Sequence, residues 1–540
     1  MAALILLLVV IPLALVFLIY RKLSAKLKFF SSFPIPVVPA KFFFGSTAPM
    51  LQKQIAPIDF VKDVYSRFPE DKVIGLLDTT TPVFLIRDLN LIKRLTVKDF
   101  DYFTDRRPMF GRLQKEGGDR NPDVLCTKTL ASLAGSPWRD MRATLSPAFT
   151  GSKVRAMFEL IVEYCEQLGP VYLEAGVKEY EWKAEFGRIA TDIIATSAFG
   201  LNVNSIKDES NEFYTMGRQM LNFDRGLIVA KVLGYRLVPQ LMTFLGVDII
   251  DNDPKRYFST IIREAIKTRN DHGIVRPDMI HLLMLARKGG LTHNSQTSEP
   301  NEGFATVEES ELGKANTSGS MSDSEMIAQC LIFFLAGLDT ISTTLSFLVY
   351  ELALNEDIQD RLFQEIMTTK TNLKEDKLTY DSLQDLKYLD MVISETLRKW
   401  PPVPFADRYC VRDYRLQDGD LKFTIPQESC LWIPIHGLHH DPAYFPNPDR
   451  FDPERFSEEN RVTITPGSYL PFGSGPRNCI GSRFALVEMK AIVFYLVAEF
   501  SFERTQNTQV PVRFSKEMMG VGAERGIRLK LVPRSTELLN

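Results

Sequence analysis

The chain begins with an apolar stretch in which residues 1–20 carry no charged side chain. About 20 apolar residues match the hydrocarbon thickness of a bilayer. Arg21, Lys22, Lys26 and Lys28 follow directly, and by the positive-inside rule they place the rest of the chain in the cytosol. A cleaved signal peptide would need a charged segment before the apolar run and a small-residue cleavage site after it, and this sequence has neither. We therefore predict a transmembrane signal anchor in the endoplasmic reticulum membrane.

The polar and apolar pattern of the remaining chain predicts a linker followed by one large catalytic domain. Residues 21–45 are basic and rich in proline, which blocks helix continuation. The body, 46–540, mixes short β-type runs such as 83–86 with helical periodicity over 138–288, so we expect a mainly α fold with a smaller β-rich region (α+β). Residues 289–324 are dense in Gly, Ser, Thr, Asn and Glu, and we expect a flexible, solvated loop there.

Residues 331–350 are apolar enough to be either a second membrane span or a buried helix. Their only charged side chain is Asp339. A central carboxylate is costly in lipid, whereas a helix that is apolar on all sides fits the core of a large globular protein. We therefore predict a buried helix and interpret Asp339 as a functional residue.

Composition narrows the classes of function. A net charge of −3 over 540 residues provides no basic field for nucleic acid. Six cysteines without a Cys-x-x-Cys pair favour neither a disulfide scaffold nor a zinc site. The glycosylation sequon at Asn316 has no use in a cytosolic body.

The strongest chemical signal is the run FGSGPRNCIG at residues 472–481. Two glycines before Cys479 permit a tight loop that aims backbone N–H groups at the sulfur, and these donors, with the N-terminus of a helix beginning near Arg483, favour a thiolate. Gly481 leaves room for a flat ring close to the backbone. Arg477 can pair with a carboxylate of that ring, and Phe472 can shield the sulfur. An isolated cysteine here would be interpreted as a small buried hydrophobe.

The complete pattern Phe-x-x-Gly-x-Arg-x-Cys-x-Gly resembles the haem-binding loop of the cytochrome P450 family, and the resemblance extends over almost the whole chain. It implies the haem-thiolate monooxygenase fold, haem b as cofactor and Cys479 as the metal ligand. The sequence around Asp407 and Arg408, together with the anchor, resembles the insect microsomal branch that metabolises xenobiotics. The linker lacks the Pro-Gly-Pro form common in microsomal members.

Three arginine and glutamate positions resemble the structural ion network of that family. Glu395 and Arg398 are one helical turn apart, so both project from one face. Arg455 lies downstream and resembles the arginine that returns to this pair. A lone Glu-x-x-Arg motif is weak evidence for this family, but here it precedes the Cys479 motif in the order found in the family, which strengthens the resemblance.

Residues 336–340 match the family's oxygen-activation motif. Ala336 and Gly337 would leave space for dioxygen, and Asp339 and Thr340 would pass protons to it. Thr340 can also simply bond back to the Ala336 carbonyl, as buried helical threonines do, and the two interpretations are compatible.

Other cofactor-binding positions follow from the same resemblance. Trp138 and Arg142 share one helical face and resemble the haem-carboxylate-binding helix of the family, and Arg408 resembles a further carboxylate contact. The histidines of residues 436–440 could suggest a metal cluster, but the segment matches a family region that precedes Pro453.

The resemblance implies O2 as co-substrate and electrons from a separate NADPH-dependent flavoprotein reductase, because this chain has no G-x-G-x-x-G after a strand. Arg139, Arg483 and Lys490 are candidate docking residues for that reductase, and ordinary solvated charges are the alternative. Two other functions stay open. A haem-thiolate isomerase or dehydratase would need neither outside electrons nor proton delivery, and a haem sensor would need no oxygen groove.

The substrate is where the sequence says least. Access is expected near residues 102–136 and the apolar region 221–247, of which 233–245 could also touch the membrane. The 37 phenylalanines suit a lipophilic small molecule, although core packing explains most of them. Plant toxins, insecticides, hormones and pheromones all remain candidates.

Overall fold

The computed structural model describes residues 17, 20–21, 23–107, 124–222, 226–247, 249–288, 303–313, 321–373, 377–517 and 520–534. Most of the predicted anchor, residues 108–123 of the predicted access region and the Asn316 sequon lie outside these residues.

Helices dominate the described residues, as the periodicity predicts. The α-helices of the described residues are Ala48–Leu51, Pro57–Arg67, Leu89–Lys93, Val124–Thr127, Gly135–Leu145, Gly151–Cys165, Leu168–Ala175, Trp182–Ile194, Glu212–Leu221, Gly226–Leu237, Pro239–Phe244, Asn252–His272, Met279–Arg287, Asp323–Leu354, Glu356–Thr371, Tyr380–Gln384, Lys387–Lys399, Ile435–His439 and Ser482–Glu499. Short 3-10 or π turns lie at Phe29–Ser32, Arg94–Lys98, Phe100–Tyr102, Ser146–Phe149, Ala195–Phe199, Pro453–Phe456, Arg461–Thr463 and Gly475–Arg477.

The strands form three small sheets beside this helical body. They are β1 (Val73–Asp78), β2 (Thr81–Ile86), β3 (Glu179–Glu181), β4 (Ala406–Tyr409), β5 (Tyr414–Asp418), β6 (Leu421–Ile425), β7 (Cys430–Ile433), β8 (Phe500–Arg504) and β9 (Arg528–Pro533). The first sheet has the order β1-β2-β7-β4, in which β2 and β7 are parallel and the other neighbours antiparallel. The second has the order β3-β9-β8, and β5 pairs with β6. The β-type run at 83–86 thus lies in β2, as predicted.

The central helix, Asp323–Leu354, runs through the helical core. Its N-terminus carries a capping box in which Ser322 and Glu325 satisfy each other's backbone N–H groups. A side chain at Gly337 would place its Cβ 2.6 Å from Ile194 Cδ1, so glycine allows close approach of the neighbouring helix. Among the described residues this is the one helix long and apolar enough to cross a membrane, yet most of it is buried inside the protein. The structure therefore agrees with the buried helix rather than a second span.

Residues 303–313 differ from the expectation of a solvated loop. Ala305 is 3% exposed and belongs to the helical core, and Phe304 and Leu312 pack against that core. Three apolar side chains within eleven residues are enough to attach the segment, although the composition of 289–324 as a whole is polar. The rest of this predicted loop, 289–302 and 314–320, lies outside the described residues.

Candidate haem-binding site

The loop of residues 472–481, here called the thiolate loop, is built around two glycines with left-handed backbone. Gly473 and Gly475 have φ of 79° and 71°. A Cβ at Gly475 would lie 2.0 Å from the Thr96 carbonyl oxygen, so no other residue fits without a shift of the backbone. The Cys479 N–H donates to the Phe472 carbonyl at 2.9 Å, which closes the loop. The helix Ser482–Glu499 begins three residues after the cysteine, as predicted.

Cys479 is the exposed cysteine of the chain, whereas the other five are buried. Protein atoms nevertheless surround its sulfur closely. Burial raises the pKa of its thiol, while the Gly481 backbone N–H and the charge of Arg142 act in the opposite direction. One backbone donor of the kind expected from the sequence, the Gly481 N–H, therefore acts on the sulfur, but in the protein alone burial outweighs it. A bound metal ion would reverse that balance, because a coordinating thiol is deprotonated.

Arg477, two residues before the cysteine, is 4% exposed and is held by main-chain carbonyls. Its guanidinium donates to the carbonyl oxygens of Thr104 at 2.7 Å, Leu130 at 3.2 Å and Leu133 at 2.6 Å. It also lies 4.0 Å over the Trp138 ring. Carbonyls satisfy hydrogen bonds but carry no negative charge, so the charge of Arg477 is left without full compensation.

Arg408, at 1% exposure, is in the same situation on strand β4. It donates to the carbonyls of Asp407 and Ser474 at 2.8 Å each, and its Nε has no partner among the described residues. Burial and the positive charge of Arg106 lower the pKa of Arg408 to about 10. Burial, with Arg106 and Arg408 as further contributors, lowers the pKa of Arg477 to about 8.

These buried arginines fit a ligand that carries carboxylates. A buried charge is costly unless an opposite charge pairs with it, and the Asp105 carboxylate is 3.9 Å from Arg477, beyond hydrogen-bonding distance. Two buried guanidinium groups and an exposed cysteine therefore fit haem b, whose two carboxylates can pair with cations and whose iron can take a thiolate ligand.

The predicted helix with Trp138 and Arg142 is Gly135–Leu145, and both side chains are buried. Arg142 donates to the carbonyl and the side-chain oxygen of Asn478 in the thiolate loop at 2.9 and 2.7 Å. Its Nη2 also lies 2.5 Å from an oxygen of Glu309. Nothing in the sequence pattern marks Glu309, because it lies in a polar segment and 167 residues separate it from Arg142.

The central helix has an exposed position within the predicted oxygen-activation motif. Ala336 is exposed, whereas the other residues of 332–340 are half-buried or buried. Thr340, one turn further on the same face, donates its hydroxyl to the Ala336 carbonyl at 2.8 Å. Asp339 pairs with Lys183 at 3.2 Å. This part of the helix thus faces open space and carries a hydroxyl and a carboxylate beside it.

Glu395 and Arg398 form a closed ion pair in the core, and both are 0% exposed. Arg398 Nε and Nη2 bind the two carboxylate oxygens at 2.6 and 2.9 Å. Arg455 Nε lies 3.4 Å from Glu395, and the Asp452 N–H donates to the same carboxylate at 2.8 Å. Arg398 also donates to the carbonyl of His439.

The histidines of the 436–440 segment serve packing and hydrogen bonding. His439 Nδ1 is 3.1 Å from the Arg398 carbonyl, and its Nε2 accepts from the Leu470 N–H at 2.9 Å. Burial lowers the pKa of His439 to about 3. Its ring therefore stays neutral and links the Glu395 pair to the segment before the thiolate loop.

Comparison with known proteins agrees with this geometry. The sequence model described as cytochrome P450 matches residues 36–531. The chain belongs to the cytochrome P450 family. Members of this family are haem-thiolate monooxygenases. Similar relatives are cytochrome P450 9e2 of Blattella germanica, 39% identical over 94% of this chain and 94% of the relative, and the probable cytochrome P450 9f2 of Drosophila melanogaster, 36% identical over 96% and 97%. Cytochrome P450 6k1 of Blattella germanica is 34% identical over 94% and 92%.

The predicted docking residues of this cytochrome P450 need one correction. Lys490 is 1% exposed and pairs with Asp390 at 3.0 Å, so it cannot meet a partner protein. Its position on a helix that is buried on nearly all sides could not be recognised from charge alone. Arg139 is exposed and pairs with Asp101 at 2.7 Å. Arg483 is partly exposed.

Proposed function

We propose that this chain is an NADPH- and O2-dependent monooxygenase that oxidises lipophilic small molecules at haem b ligated by Cys479. The observation that carries the proposal is the pair of buried, uncompensated arginines, Arg408 and Arg477, beside the exposed Cys479. Membership of the cytochrome P450 family supports it.

In this proposal the residues of the chain position and protect the haem. Cys479 holds the iron, and Arg408 and Arg477 hold the haem carboxylates in charge-assisted hydrogen bonds. Gly481 leaves the ring room to lie close to the backbone, and Phe472 shields the sulfur. When bound, haem with a thiolate ligand supplies the activation of dioxygen.

Proton delivery is proposed for the exposed turn of the central helix. Thr340 carries a hydroxyl that both accepts and donates, and Asp339 is the carboxylate beside it. Lys183 pairs with Asp339 at 3.2 Å, and both side chains are partly exposed. Ala336 leaves the space that dioxygen needs on this face, whereas a Cβ at Gly337 would meet Ile194 of the neighbouring helix.

The electrons come from a separate NADPH-dependent flavoprotein reductase on the same membrane. We propose that residues 1–20 anchor the chain in the endoplasmic reticulum with the body in the cytosol, which places both proteins on one face. A second contact with lipid is supported by Leu227, Leu241, Phe244 and Leu245, which are 71%, 51%, 86% and 61% exposed. Such exposed apolar side chains on neighbouring short helices suit insertion at a bilayer surface.

The substrate class proposed is lipophilic xenobiotics such as plant toxins or insecticides, which would make this a detoxification enzyme. Endogenous lipids or hormones are the second candidate class. Support comes from the insect origin of the similar relatives and from the apolar surface at the membrane, through which a lipid-dissolved compound would enter.

The test is turnover of the full chain in membranes with an NADPH-dependent flavoprotein reductase, a panel of lipophilic compounds and isotopically labelled dioxygen. We expect a product that contains one labelled oxygen atom and forms only with NADPH and reductase. Conversion of a compound without NADPH would instead identify an isomerase or dehydratase. Haem binding without any NADPH consumption would identify a sensor, and Cys479→Ser serves as the inactive control.

A further inference from the structure

Residues 303–313, here called the strap, lie against the thiolate loop. At one end the Phe304 N–H donates to Asp390 at 3.0 Å, and the Phe304 ring stacks on Tyr469 with centroids 5.6 Å apart. In its middle the Glu308 carbonyl accepts a hydrogen bond of 3.1 Å from the side-chain amide of Asn478, the residue before Cys479. The strap is therefore bound directly to the loop that carries the proposed iron ligand.

Glu309 fastens the strap to Arg142. The carboxylate receives Arg142 Nη2 at 2.5 Å and Nε at 3.3 Å, and Ser146 donates its hydroxyl to it at 3.1 Å. The side chains of Arg142 and Glu309 are 3% and 16% exposed. A pair so well shielded from water is far stronger than an exposed surface pair.

The hydrogen bonds of Arg142 leave little capacity for another ligand. A guanidinium has five N–H groups. Two of them are directed at Glu309 and two at Asn478, so one remains, on Nη1. A haem carboxylate can therefore accept a hydrogen bond only from that last N–H group. The positive charge of Arg142 that it would meet is already offset by Glu309. Arg408 and Arg477, in contrast, make no hydrogen bond to a carboxylate among the described residues, and Asp105 lies 3.9 Å from Arg477.

We propose that Glu309 is a positioning residue of the haem site, which holds Arg142 against the thiolate loop and offsets its positive charge next to the haem. The inference rests on the proposed function, because it requires haem at Cys479. It makes the strap, a segment remote in sequence, part of the electrostatic environment of the haem. Charge and hydrogen bonding around a haem set its reduction potential. Reduction adds an electron to the site, and an uncompensated cation nearby favours it.

The test is the haem midpoint potential of the full-length holoprotein, measured by spectroelectrochemical titration in the wild type and in Glu309→Gln. Gln keeps the shape of the side chain and removes its charge. We expect the potential to rise, because Glu309 no longer offsets the charge of Arg142. Haem dissociation, measured by transfer to a haem-scavenging protein, should stay close to the wild-type rate, because Asn478 still holds Arg142 against the thiolate loop. A purely structural role would give the opposite, namely faster haem loss without an upward shift.

Two further variants keep the outcome decisive. Glu308→Gln removes the same charge from an exposed neighbouring side chain, and we expect the wild-type potential. Glu309→Asp withdraws the carboxylate by one methylene, and we expect an intermediate rise even if the Gln variant does not fold. An unchanged or lowered potential in the Glu309 variants, or equal shifts in Glu308→Gln, would overturn the proposal. A wild-type protein without thiolate-ligated haem would instead overturn the proposed function.

Discussion

Arg398 and Arg477 are two buried guanidinium groups with opposite surroundings. Arg398 meets the Glu395 carboxylate in two hydrogen bonds, so its charge is neutralised inside the protein. Arg477 meets three main-chain carbonyls and has its nearest carboxylate 3.9 Å away. The difference teaches which buried charge belongs to the fold and which belongs to a ligand. The charge of Arg398 is paired in the protein alone, and we propose that an anionic cofactor pairs with the charge of Arg477.

The largest expected effect is a loss of stability when the buried Glu395–Arg398 ion pair is broken. Glu395→Gln leaves the Arg398 charge buried without its partner, and we expect the free energy of unfolding to fall by about 3–5 kcal/mol. Denaturant unfolding of the haem-free protein measures it. Arg361→Ala is the control, because Arg361 and Glu454 are an exposed pair whose loss should cost less than about 1 kcal/mol. Equal losses in the two variants would contradict the distinction between a buried and a surface pair.

Replacing Arg408 or Arg477, whose charges are not fully paired in the protein, should weaken haem binding rather than unfold the protein. For Arg408→Met we expect haem affinity to fall by about 10- to 100-fold, as for other groups that support a metal site. The haem-free protein should lose far less stability than in Glu395→Gln, because no paired charge is stranded. Haem titration and haem-free unfolding measure the two quantities. The comparison fails if Arg408→Met unfolds the haem-free protein as strongly as Glu395→Gln does.

The Glu395 network should also carry a pH dependence through His439. Burial lowers the pKa of His439 to about 3 in the folded protein, whereas an unfolded histidine has a pKa of about 6.5. The unfolded chain then binds the extra proton first, so this stability is complete above the unfolded pKa and declines as the pH falls from about 6.5 toward 3, by about 1.4 kcal/mol per pH unit.

His439→Gln keeps a donor and an acceptor and should reduce that slope by the share of His439, as measured by unfolding at a series of pH values. A slope remains because burial also lowers the pKa of His436 and His440. His272, exposed at the end of the helix Asn252–His272, is the matched control, and His272→Gln should leave the slope unchanged. An unaltered slope in His439→Gln would show that this ring is not the group responsible.

The smallest effect on stability is expected at Thr340, an uncharged residue of the central helix. Thr340→Val removes the hydroxyl bonded to the Ala336 carbonyl, and we expect a change in unfolding free energy of less than about 1 kcal/mol. Haem content should stay as in the wild type, while product formed per NADPH consumed should fall. If Thr340→Val forms as much product per NADPH consumed as the wild type, this hydroxyl has no role in proton delivery.

Local rules made the thiolate loop and the Glu395 pair predictable. The glycines that precede Cys479 are required by backbone geometry, and Glu395 and Arg398 meet because they are one helical turn apart. Features that depend on packing between distant segments could not be predicted from the sequence. Lys490 looked like a surface cation, but its helix is buried by elements distant in sequence. Glu309 carried no signal, since its partner Arg142 is brought to it only by the fold.

The measurement that tests the central claim most directly is the absorption difference spectrum of the dithionite-reduced full-length protein with and without carbon monoxide. We predict the strongly red-shifted Soret band of thiolate-ligated haem in the wild type and its loss in Cys479→Ser. Cys410→Ser is the matched control, because a hydroxyl there can keep the bond of 3.0 Å to the Arg412 carbonyl, and it should retain the band. Folded wild-type protein that binds no haem, or a band that persists in Cys479→Ser, would contradict the account.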